Sequence, residues 1–122
     1  MTATQQDSST APVDLAVMRE ATAILVNRDA TAALLPENTD VGVLTETVRG
    51  HLAALIPELE LAAAKLREES AARYCVLACI SEAHGKLSAQ PSPRYGGAIS
   101  YARRLARVLN ALCAHYEKLA EL

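Results

Sequence analysis

Tryptophan and phenylalanine are absent from this 122-residue chain, and its aromatic residues are four tyrosines, Tyr74, Tyr95, Tyr101 and Tyr116. A core must therefore come from Leu, Val, Ile and a large supply of Ala, without the big rings that dominate many cores. Apolar and polar residues nowhere alternate over the length of a strand, which removes the signal for a sheet. No stretch approaches the roughly 20 apolar residues of a membrane span, so no membrane segment is expected. The cysteine count is three (Cys75, Cys79, Cys113), too few and too odd for a disulfide framework. Residues 1–12 (MTATQQDSSTAP) lack the basic start and the apolar run of a secretory signal. The expectation is a cytoplasmic protein with reduced thiols.

What is present is helix. Ala and Leu are strong helix formers, and a chain of this length buries about two-thirds of its unfolded surface, enough to fold without metal or disulfides. The reading is a disordered polar tail over 1–12 and a single all-α, four-helix bundle-like domain over 13–122. A first helix starts at Asp14, with Leu15, Met18, Thr22 and Leu25 on one side, and ends between Asn27 and Pro36. In the second, Val41, Leu44, Val48, Leu52, Leu55, Leu59, Ala62 and Leu66 recur at spacings of three and four. Pro57 interrupts it by removing a donor to the carbonyl of Ala53, so a kinked second helix is expected. The third runs from about Ser70 to Ala89, with Ala72, Val76, Cys79, Ile80, Ala83 and Leu87 facing inward. Ser92 and Pro93 are suited to open the fourth, as cap and first residue.

The fourth helix carries two adjacent apolar stripes. One is Ile99, Ala102, Ala106, Leu109, Cys113, Tyr116 and Ala120; the other is Ala98, Tyr101, Leu105, Val108, Leu112, His115 and Leu119. Together they cover about half the circumference, more than one neighbouring helix needs. Tyr101, Leu105, Val108, Leu112 and Leu119 are therefore the expected interface of a homodimer, or of a complex with a partner protein. Charge is uneven in the same sense. Residues 1–69 hold 5 Lys/Arg against 11 Asp/Glu, whereas residues 70–122 hold 7 against 3, within a net charge of −2. An antiparallel two-fold pairing would bring each acidic half onto the other's basic half.

Catalytic constellations are missing. No glutamate has a histidine three residues on and no histidine has one four residues on, which excludes the usual metal-ligand spacings of a bundle. Cys75 and Cys79 are one turn apart, but Cys79 falls in the apolar stripe and reads as a small buried thiol. Cys113 and His115 are two apart, on different sides of one helix, and cannot pair locally. No catalytic residue, metal or cofactor is assigned, and the reading leans away from an enzyme. Arg94, Arg103, Arg104 and Arg107 occur with no acidic residue between Pro91 and Ala114; salt bridges to Glu58, Glu60, Glu68 and Glu69 are their expected role. Nucleic acid is not an expected partner, because the chain is acidic overall and carries no nucleic-acid motif.

Two stretches, VRGHLAALIPELE (48–60) and ARRLARVLNALCAHYEKL (102–119), resemble small actinomycete helical proteins grouped as a domain of unknown function and loosely associated with natural-product biosynthesis. The resemblance spans roughly residues 40–119. It implies an actinomycete origin and a biosynthetic or regulatory setting, with no established catalytic residues. If that family has a ligand site, its motif-like polar residues fall here at Arg49, His51, Glu58, Arg107, Asn110, His115 and Tyr116. The sequence thus predicts a non-catalytic, self-associating interaction or accessory module. The alternative is an accessory protein binding a small molecule in a cleft near the Pro57 kink.

Overall fold

The structure is a computed structural model that describes residues 14–26, 40–89 and 97–121. Among these are four α-helices and no strand: α1 (Leu15–Leu25), α2 (Val41–Ala64), α3 (Ala71–Ser88) and α4 (Gly97–Ala120). The expected tail over 1–12, the end of the first helix near Asn27–Pro36, and the Ser92–Pro93 cap all lie outside the described residues.

Three helices begin with the same device. The side chains of Asp14, Asp40 and Ser70 accept from the backbone N–H of Val17, Val43 and Arg73 at 3.2, 3.1 and 3.1 Å. Each satisfies a donor that has no partner within its helix. Gly97 opens α4 with φ 56°, a left-handed conformation that a Cβ would strain. α2 runs unbroken through Pro57. Both Pro57 and Ala53 are exposed, so water can satisfy the carbonyl left without its donor.

α2 and α4 form the central pair, and α1 and α3 each pack on both, with no close backbone approach to each other among the described residues. The core is almost wholly aliphatic: Met18 and Leu25 from α1, Val48, Leu52, Leu55 and Leu59 from α2, Val76 and Ile80 from α3, and Leu105, Leu109 and Leu112 from α4. Small residues at Ala63, Ala83, Ala102 and Ala106 let the backbones approach.

This arrangement corrects the expected dimer face. Tyr101, Leu105, Val108 and Leu112 are at most 5% exposed within a single chain, and Leu119 is half-buried against the same core. α4 is wide in its apolar face because three helices of its own chain pack on it. Tyr101, Leu105, Val108 and Leu112 offer no free surface to a second subunit, and Leu119 offers only part of its side chain.

Candidate functional site

The seven polar candidates do not converge. Arg49 is a clamp: its guanidinium donates to the carbonyl of Leu87 (3.2 Å) and to the Tyr101 hydroxyl, which itself donates to the carbonyl of Lys86 (3.2 Å). α2 is thereby pinned to the end of α3 and the start of α4, and two carbonyls of the last turn of α3 gain partners. Arg49 also lines a cleft of about 480 Å³ with Gly42, Thr45, Glu46, Ala89, Ala98 and Tyr101. Asn110 is engaged elsewhere. It accepts from the fully buried Thr22 hydroxyl at 2.6 Å and so joins α1 to α4.

The others are scattered. His51 is half-buried, with a buried Nε2 that has no hydrogen-bond partner among the described residues. Burial holds its pKa below the usual histidine value, and the nearby Asp14 charge pulls weakly the other way. Tyr116 lines a separate cleft of about 370 Å³ with Ala62, Lys65, Leu66, Leu119 and Ala120. Arg107 lies in a third cleft, between α3 and α4. Glu58 and His115 are half-buried and make no hydrogen bond or ion pair among the described residues. Pro57 lines none of the three clefts.

The ion pairs also differ from those expected. Among the described residues they are Arg19–Glu117 (2.7 Å), Arg49–Glu46 (3.9 Å) and Arg67–Glu69 (3.4 Å), and none links the acidic residues of α2 to the arginines of α4. Arg103 instead donates through Nε to the carbonyl of Leu25 at 2.9 Å, tying down the end of α1. Arg94 lies outside the described residues. No three His, Cys, Asp or Glu side chains come together as a metal would need, among the described residues. Nor is any described helix long and apolar enough to cross a membrane.

A feature that periodicity did not single out is the outer face of α3. Its exposed positions are Ala71, Ala72, Tyr74, Cys75, Leu77, Ala78, Ser81, Glu82, His84, Gly85 and Ser88, with Glu82 the one carboxylate and no Lys or Arg. Tyr74 is 75% exposed and Leu77 42%. A helix that is apolar on both faces normally sits between two partners, and among the described residues α3 packs on α2 and α4 alone. The run YCVLACI (74–80) carried that signal in the sequence.

No curated protein and no solved structure matches the chain. The model of one family of unknown function, DUF6415, matches residues 16–121, and the chain belongs to that family.

Proposed function

We propose that this chain is a non-catalytic helical interaction module that self-associates through the outer face of α3. The observation that carries the reading is that face: an exposed Tyr74 and Leu77 among mostly small residues, with Glu82 the one carboxylate, on a helix that packs on α2 and α4 alone among the described residues. The scatter of the polar candidates, with Arg49 and Asn110 spent on holding helices together, supports a role without chemistry.

A second copy is the occupant that this surface fits. The turn before α3 carries Lys65, Arg67, Glu68 and Glu69, and its far end carries Glu82, His84 and Lys86, so both ends hold charges of each sign around an uncharged middle, Tyr74 to Ser81. An antiparallel two-fold pairing lays that uncharged middle on its own copy and leaves the mixed charges of both ends at a polar rim. With the axis between Ala78 and Ser81, Tyr74 of one copy lies over Gly85 of the partner subunit. A Cβ added at Gly85 would meet nothing within 4 Å, so the backbone there is open to a ring. The helix is about 27 Å long, so the contact is smaller than a standard interface and should be of micromolar strength. In the biosynthetic or regulatory setting that the sequence resemblance implies, such a module would bring proteins together.

Light scattering coupled to size exclusion tests the reading, at about 1 µM and about 100 µM on either side of the expected dissociation constant. The expected result is a mass that rises with concentration toward twice 13.0 kDa. Ala78→Glu sits on an exposed helical position where Glu is well tolerated, and it should hold the mass at that of the monomer while the helical circular dichroism is kept. A wild type that stays monomeric at the higher concentration overturns the proposal, as does an Ala78→Glu variant that associates equally well.

A further inference from the structure

We infer that the cleft between α3 and α4 is a binding site for a small phosphate-bearing molecule. It has a volume of about 270 Å³ and is lined by Glu82 and Lys86 from α3 and by Arg104, Arg107, Val108 and Ala111 from α4. Three cations therefore face one carboxylate in a single concavity. None of the three has an ion-pair partner among the described residues; Arg104 donates to the Ser100 hydroxyl at 3.0 Å, a neutral acceptor.

Such a cluster costs stability when empty. Arg104 and Arg107 are three residues apart on one helix, so their side chains are neighbours and repel, and Lys86 adds a third charge from across the cleft. An oxyanion reverses this term, because planar guanidinium groups bind phosphate oxygens in pairs and an ammonium adds a point charge. Buried Val108 supplies an apolar floor, and the exposed Ala111 lines the cleft beside it. Arg104 and Lys86 are half-buried beside that floor, where a charged contact is screened less than at the exposed Arg107. Glu82 on the rim favours a ligand that offers a hydroxyl or amine beside its phosphate, rather than bare anion on every side. The volume suits a phosphate or diphosphate with a short organic stem and is too small for a large cofactor.

Calorimetric titration with inorganic pyrophosphate, against sodium chloride at matched ionic strength, is the test. Saturable one-to-one binding is expected, together with a rise in melting temperature. Arg107 is exposed, so Arg107→Gln should fold normally and weaken binding at least about tenfold. Arg67→Gln removes an exposed arginine far from the cleft and should bind as the wild type does. Heats no greater than those of sodium chloride overturn the inference. Equal losses in Arg107→Gln and Arg67→Gln would also overturn it, since they would report general charge attraction instead of a site.

Discussion

α3 and α4 have similar apolar content to the eye, yet they hold opposite positions in the molecule. α4 is sharply two-sided: eight of its residues are buried, and its outward positions include Arg107, Glu117 and Lys118. The middle of its apolar half, Tyr101 to Cys113, is buried under α1, α2 and α3. α3 buries only Val76, Ile80 and Ala83, while Tyr74, Cys75, Leu77 and Ala78 face outward. The difference teaches where to look for a partner. A wide apolar stripe with a clear polar opposite identifies the centre of a bundle, because several neighbours of the same chain fill it. Apolar residues spread around a flanking helix leave part of that surface unspent once folding is complete.

The largest effect that sharpens this contrast comes from removing equal side chains on the two helices. Leu109 is wholly buried and Leu77 is not. Leu109→Ala should cost about 2–5 kcal/mol through lost contacts and a residual cavity. Leu77→Ala should change the stability of dilute monomer by no more than about 0.5 kcal/mol. Urea unfolding at a protein concentration below association measures both. Leu112→Glu, placed where no surface exists, should abolish folding rather than dissociate a dimer. A Leu77→Ala cost as large as that of Leu109→Ala would show that the outer face of α3 is already covered within the chain.

A smaller effect belongs to the seams by which α4 holds its neighbours. Against α1 it uses polar groups: the Thr22–Asn110 hydrogen bond and, at the surface, the two-pronged Arg19–Glu117 pair at 2.7 and 3.0 Å. Thr22→Val keeps the shape but leaves the Asn110 carbonyl without its donor, a cost of about 1–3 kcal/mol. Glu117→Gln should cost less than about 1 kcal/mol, since both partners are more than two-fifths exposed and water screens them. A double-mutant cycle pairing Thr22→Val with Asn110→Leu should recover part of the first loss. Strictly additive losses would mean that the hydrogen bond contributes nothing specific to the α1–α4 seam.

Much of the fold was legible because local rules and tertiary packing agree. Asp14 and Ser70 announce helix starts, and the apolar phase of α2 continues across Pro57, as the unbroken helix does. The partners of α4 were not legible, because periodicity gives the width of an apolar face and not the number of chains that cover it. The structural partners of two polar candidates were hidden for a related reason. Arg49 and Asn110 look like ligand groups in sequence, yet each finds its acceptor or donor on another helix, 52 and 88 residues away along the chain. The α3–α4 cleft was half visible, as arginines without acidic neighbours; Lys86 and Glu82 join them only through packing.

The cysteines give the finest measure of the same contrast, and one that leaves stability untouched. All three thiols are free: Cys75 lies exposed on α3, Cys79 is half-buried on the inner side of α3, and Cys113 is buried in α4. Burial raises the pKa of Cys79, with the charge of Glu82 adding to it. It raises that of Cys113 as well; Arg19 pulls that thiol down and Glu117 pushes it further up. The thiolate is the reactive form, so access and ionisation disfavour Cys113 together. With a thiol reagent in excess near pH 8, Cys75 should react first and Cys79 more slowly. Cys113 should react only through opening of the bundle, at least about a thousandfold more slowly than Cys75. If the outer face of α3 closes on a second copy, the Cys75 rate should also fall as protein concentration rises, while the Cys113 rate follows global stability. Equal rates at Cys75 and Cys113 would erase the distinction between the two helices, and a Cys75 rate independent of concentration would count against pairing through α3.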